Sequence, residues 1–188
     1  MWNVPASPKS AHWSGMPTRR EALVMAAVGG VAALAGVLVG PLALQSQSGA
    51  AELLSASYPD LAGKPQRIAG WQGRVVVCNF WATWCAPCRE EVPMLLNLRR
   101  EYAPKGLEIV GIGIDHGAKI AQFATDYQIT YPLLVADASA TSLMRALGNE
   151  AGALPFTVVQ DRKGTIAYRR LGLLKEPDLR KALEAILV

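Results

Sequence analysis

Hydrophobic and polar positions change their period several times along this chain, and each change marks an element. Ala22 to Leu44 is an apolar run of 23 residues without a charge. Val75-Val76-Val77-Cys78-Asn79-Phe80-Trp81 is apolar and β-branched, which predicts a buried strand. Arg89 to Tyr102 is dense in Glu, Leu, Met and Arg and predicts a helix, with Pro93 expected to kink it. Pro104-Lys105-Gly106 ends that helix, and Leu107 to Ile114 is the next strand. Ile120, Phe123, Ala124 and Tyr127 share one helical face, and Tyr131 to Val135 is a short extended segment. Ala140, Leu143, Met144 and Leu147 mark another helix, stopped at Gly148. Phe156 to Gln160 and Thr165 to Arg169 flank the Asp161-Arg162-Lys163-Gly164 turn and predict a hairpin. Leu179, Ala182, Leu183, Ile186 and Leu187 stripe a C-terminal helix that Pro177 helps to start. A β-α-β half followed by a β-β-α half gives an α/β fold, a mixed sheet flanked by helices.

The start of the chain reads differently. Residues 1–21 are polar, with Lys9, Arg19 and Arg20 as their cations. Residues 22–44, as one helix, would reach ~35 Å, enough for a ~30 Å hydrocarbon core. Cations before the run and none close after it predict that the N-terminal tail stays in the cytoplasm and the rest faces outward. An uncleaved anchor is the preferred reading, because the run is longer than a signal-peptide core. Its alternative is cleavage near Ala50, after the small residues Ser48-Gly49-Ala50. Thr18-Arg19-Arg20-Glu21-Ala22-Leu23 also resembles a twin-arginine export motif, and Met16 is a second possible initiator. Residues 45–57, rich in Ser, Gln, Ala and Gly, are expected to be a linker. The domain proper is expected over 58–188, opening on turn chemistry at Tyr58 to Pro65 and a short edge strand at Gln66 to Ala69.

Composition narrows the chemistry. The formal charge of +4 is spread over 188 residues without a basic block, so nucleic-acid binding is not indicated. Gly111-Ile112-Gly113 has His116 where a dinucleotide loop needs its third glycine, so that motif is dismissed. Of the three cysteines, Cys78 lies inside the apolar strand and reads as core. Cys85-Ala86-Pro87-Cys88 lies where that strand hands over to a helix N-terminus. Unsatisfied amides and the helix dipole there favour an anion, so the first thiol should ionise readily. Two intervening residues let the second thiol reach the first. A closed zinc site would need four Cys or His ligands, and only Cys78, His12 and His116 remain to supply the rest. Redox exchange is the expected chemistry.

These residues carry a resemblance. Trp84-Cys85-Ala86-Pro87-Cys88 resembles the active-site motif of the thioredoxin superfamily. The surrounding order is similar to membrane-anchored, TlpA/ResA-like thiol–disulfide oxidoreductases: Pro59-Asp60-Leu61, Gly63-Lys64, the Val-Val-Val strand, Trp81 to Glu91, and later Gly152-Ala153-Leu154-Pro155-Phe156-Thr157. The resemblance spans Tyr58 to Val188 and implies a thioredoxin-like fold. It implies a cis-proline at Pro155 facing the cysteine pair. It also implies a client-facing surface at Trp84, Ala86, Pro87 and Leu154, and no cofactor or metal beyond the redox-active Cys85–Cys88 disulfide. Asn79 stands where cytoplasmic thioredoxins carry a buried Asp. Glu91 matches a glutamate that this family places near the cysteines. It reads either as a base for Cys88 or as a solvated charge on the helix face, as Glu90 does.

The implied mechanism makes Cys85 the nucleophile and the more exposed sulfur, with Cys88 resolving the mixed disulfide. The implied partners are client proteins with disulfides, a DsbD/CcdA-type membrane electron donor, and the membrane through the N-terminal helix. The implied setting is cytochrome c or cytochrome oxidase assembly on the periplasmic side of a bacterial inner membrane. Two alternatives stand beside this reading, the first sharing the fold and the second from a different functional class. A peroxiredoxin-like peroxide reductase would need Thr-x-x-Cys, whereas Thr83 lies only two residues before Cys85. A Sco-like copper-binding factor would need Cys-x-x-x-Cys and a distal His, for which His116 is the sole candidate in the domain.

Overall fold

A computed structural model describes residues 49–187; the tail over 1–21 and the apolar run over 22–44 lie outside the described residues. Among the described residues, no helix is long and apolar enough to cross a membrane. Seven strands occur in the described part: β1 (Ser57–Pro59), β2 (Pro65–Arg67), β3 (Val75–Trp81), β4 (Leu107–Ile114), β5 (Leu133–Ala136), β6 (Phe156–Gln160) and β7 (Ile166–Leu171). β1 and β2 form a small antiparallel pair, and the other five form one sheet in the order β5-β4-β3-β6-β7. β4 runs parallel to β3 and to β5, whereas β6 is antiparallel to β3 and to β7. The sheet is therefore mixed, with the expected hairpin forming one edge.

Helices cover both faces. Residues 49–55 are helical (α1), followed by α2 (Ala86–Tyr102), α3 (Gly117–Asp126), α4 (Ala140–Ala146) and α5 (Glu176–Glu184). The period of two along a strand sorts the core. Val75, Val77 and Trp81 pack with Val92, Leu95 and Leu98 of α2 and with Leu179 and Leu183 of α5. Val76, Cys78 and Phe80 point the other way, against Leu143 and Met144 of α4 and Leu53 of α1. Asn79 falls in the first set, which aims a polar side chain at α2. That parity builds the site.

Several expectations shift. The expected linker over 45–57 is shorter, because residues 49–55 are helical and Leu53 is fully buried. A two-turn helix is marginal alone, but burying one Leu contributes roughly 1.5–3 kcal/mol, enough to dock it. The edge strand ends at Arg67, and Ile68–Trp71 form a 3-10 turn instead. α2 starts at Ala86 and continues through Pro93. Gly111 and Gly113 serve packing: a Cβ on Gly111 would lie 2.6 Å from Leu133 Cδ2 and 3.0 Å from Trp81 Nε1.

Candidate active site

Cys85 is the N-cap of α2, with extended backbone at φ −85° and ψ 103°, and Pro87 sits in the first turn. Proline suits that position because its missing N–H would have no helical partner there. The Cys85 N–H donates to Ala82 O at 3.1 Å, and the Cys85 carbonyl accepts from Arg89 N–H at 3.3 Å. Cys85 and Cys88 are joined as a disulfide, S–S 2.03 Å and Cα–Cα 5.3 Å. The expected contrast in exposure is small: Cys85 is 6% exposed and Cys88 2%. Trp84, at 68%, is the exposed side chain of the motif.

Glu91 lies three residues beyond Cys88 on the buried face of α2 and is 2% exposed, so the solvated reading fails. Its Oε2 accepts from Asn79 Nδ2 at 3.0 Å, and its Oε1 accepts from the Leu174 backbone N–H at 2.6 Å. Asn79 spends its other amide hydrogen on Thr157 Oγ1, also at 3.0 Å. Asn79 and Thr157 are direct neighbours in the β3–β6 register, so they share a face. Burial pushes the Glu91 carboxyl above its usual range, and the bonds from Leu174 and Asn79 only partly offset this. Glu90, by contrast, is exposed.

The Leu154–Pro155 peptide is cis. Pro155 is buried, and its carbonyl accepts from Gly172 N–H at 2.8 Å. Gly172 to Leu174 thus links the Pro155 loop to the Glu91 carboxylate. Leu171 and Leu173, beside that link, expose 47% and 43% of their surface. Cys78 is fully buried in β3, where burial pushes its thiol up to about 12. It stays a neutral core side chain.

Thr157, the Leu174 amide and Asp115 escaped the reading of the sequence. The Thr83 hydroxyl donates to Asp115 Oδ2, while His116 N–H donates to Oδ1 at 2.7 Å and Lys119 Nζ lies 3.5 Å away. Burial works to raise the Asp115 carboxyl, but the bonds from Thr83 and His116 and the Lys119 charge outweigh it and hold it low. Asp115 follows β4 directly, at the sheet end where the loop after β3 emerges, and that adjacency was its one sequence signal. Among the described residues, no group of three or more Cys, His, Asp or Glu could hold a metal ion.

A dithiol pair at a helix N-cap, backed by a buried carboxyl, can exchange disulfides and move the accompanying proton. The Redoxin family model matches residues 48–186. This chain belongs to the Redoxin family. Thiol-disulfide oxidoreductase ResA of Geobacillus thermodenitrificans is 30% identical over 128 residues, covering 68% of this chain and 71% of ResA. Thioredoxin-like protein YneN of Bacillus subtilis is 30% identical over 132 residues, covering 68% and 74%. Among solved structures, a secreted thiol-disulfide isomerase of Corynebacterium glutamicum superposes with a TM-score of 0.65 at 25% identity, covering 72% of this chain and 84% of that one. This redoxin is a TlpA/ResA-like thiol–disulfide oxidoreductase of thioredoxin-like fold.

Proposed function

We propose that this redoxin reduces disulfides of client proteins outside the cytoplasm, held at the membrane by the run over 22–44. The Cys85 thiolate attacks one sulfur of a client disulfide, forming a Cys85–client disulfide and releasing one client thiolate. The Cys88 thiol then loses its proton to Glu91 and attacks the Cys85 sulfur, which releases the second client thiolate and closes Cys85–Cys88. Two electrons pass to the client, and a membrane donor of the DsbD/CcdA kind restores the dithiol. Trp84, Ala86, Pro87 and Leu154 form the client-facing surface, beside Pro155.

The observation that carries this reading is the buried Glu91 carboxyl on the helix face that also bears Cys88. Apocytochrome c and copper-site proteins of oxidase assembly are the clients that the family resemblance favours. The word "secreted" in the description of the Corynebacterium glutamicum relative supports an extracytoplasmic setting. The test is the Cys85/Cys88 reduction potential, measured against defined thiol buffers. A reductant should lie toward the thioredoxin end of the range, about −270 mV. A value near the strong-oxidant end, about −120 mV, would reverse the direction assigned. For topology, a reporter fused after Val188 should be protease-sensitive once the outer envelope is opened and protected before.

A further inference from the structure

Between α4 and β6 the chain makes a loop, residues 147–155, of which the stretch 147–153 has no redox role assigned above. Gly148 turns it out of α4 at φ 95°. The next residue, Asn149, is polar yet completely buried. Asn149 N–H donates to Met144 O at 2.9 Å, and Asn149 O accepts from Gly152 N–H at 3.1 Å. Its side chain then grips one peptide on both sides. Nδ2 donates to Ala153 O at 2.8 Å, and Oδ1 accepts from Ala153 N–H at 3.3 Å. Gly152 holds φ 61° against α4, where a Cβ would come within 2.7 Å of Thr141 Cγ2. Arg145 Nε adds a bond to Glu150 O at 3.2 Å. The loop is thereby tied to α4 at several points.

One residue further on the pattern inverts. Neither the N–H nor the C=O of Leu154 bonds to any described residue, while Pro155 O is taken by Gly172 N–H. Ahead of the proline, therefore, Ala153 is occupied and Leu154 is open. We infer that Asn149 is a positioning residue for client binding: by holding both polar groups of Ala153, its side chain fixes the segment so that Leu154 presents its open N–H and C=O to an extended client. The inference rests on the client-reductant reading above.

The residue type suits the task. A side-chain amide offers a donor and an acceptor side by side in one plane; a carboxylate lacks the donor. The purpose is orientation. Neighbouring residues of an extended segment turn their polar groups to opposite edges, so tying Ala153 to Asn149 leaves the open pair of Leu154 facing away from it. Without the tie that edge would be free to rotate, and a client strand would lose its fixed alignment with Cys85. A buried amide is otherwise costly, and here each of its polar groups is bonded.

The test compares two substrates of the full chain: hydroxyethyl disulfide, which has no backbone to align, and a synthetic peptide with one intramolecular disulfide. Asn149→Ala should raise KM for the peptide by ~10-fold, the worth of one to two net hydrogen bonds, with kcat little changed. The rate with hydroxyethyl disulfide should stay as in the wild type. Equal losses on both substrates, or no change on either, would overturn the role of Asn149. Failure of the wild type to reduce hydroxyethyl disulfide would instead sink the reductant reading itself. A second measurement needs no Asn149 variant. In the free protein, the Ala153 amide should exchange hydrogen more slowly than that of Leu154. When the same peptide is trapped on Cys85 of Cys88→Ser, the Leu154 amide should slow and the Ala153 amide should not change. An unprotected Ala153 amide, or a Leu154 amide indifferent to trapping, contradicts the inference.

Discussion

Asn79 and Glu91 meet at 3.0 Å, one from the central strand and one from the helix packed on it. The strand parity aims Asn79 at α2, and the helical spacing from Cys88 turns Glu91 back toward the sheet. An acid buried this way differs from a surface charge in rate, in stability and in its tolerance of neighbours.

The rate comes first. Glu91→Gln keeps the shape of the side chain and removes the proposed base. Resolution of the mixed disulfide should slow by ~10²-fold at most, and the pH profile of exchange should lose the limb due to the carboxyl. Stopped-flow tryptophan fluorescence from Trp81 and Trp84 can follow the step across pH. Superimposable profiles would send the Cys88 proton to water.

Stability supplies an independent check. The folded-state affinity of Glu91 for a proton is raised by burial, so the unfolded chain ionises first as pH rises. The wild type should therefore lose stability from the ordinary carboxyl range upward, until the folded carboxyl has ionised too. Glu91→Gln should lack that decline and be the more stable protein at neutral pH. Urea unfolding of both oxidised proteins at several pH values measures the difference, and parallel curves would refute it.

Asn79→Asp would set a second carboxyl beside the first and remove the donor to Thr157. The two acids would titrate as a coupled pair, one proton being retained to higher pH. A loss of roughly 1–3 kcal/mol is expected for the unmatched buried groups, larger at pH 8 than at pH 5. Chemical denaturation at the two pH values decides it.

The third thiol should be silent. Cys78→Ser should leave turnover intact, and Cys78 in the folded protein should resist iodoacetamide at pH 8, where its thiol remains protonated. Cys88→Ser should accumulate mixed disulfides with clients and Cys85→Ser almost none. Loss of turnover in a folded Cys78→Ser protein would contradict its place in the core.

Gly111→Ala tests the packing behind the site. The new methyl would meet Leu133 Cδ2 at 2.6 Å and Tyr131 Cε2 at 3.1 Å. Overpacking of this kind costs roughly 1–3 kcal/mol, read as a lower urea midpoint.

The sheet was legible wherever local pattern and final environment agreed. β3 and β4 follow from β-branched runs with clear ends, and their bounds match the expectation. Residues 49–55 were missed because Ser, Gly and Ala looked like a linker, and nothing local reveals that Leu53 will fit a cleft beside α4. Glu91 could not be placed from sequence for a related reason. Its burial depends on Leu174, 83 residues away, whose amide supplies the bond that makes a buried carboxylate tolerable. The cysteine motif announced its chemistry, while the atoms that hold its acid were scattered over β3, β6 and the segment before α5.

Cys88 and Glu91 ride on the same helix, one turn apart. A thioredoxin with its acid on the central strand must keep two separate elements aligned while a client is bound. In this redoxin a tilt of α2 under the load of a docked protein would carry sulfur and carboxyl together, as two fittings on one lever. The spacing of sulfur and carboxyl would then be set by the helix itself, while the bonds from Asn79 and the Leu174 amide fix the direction of the carboxyl.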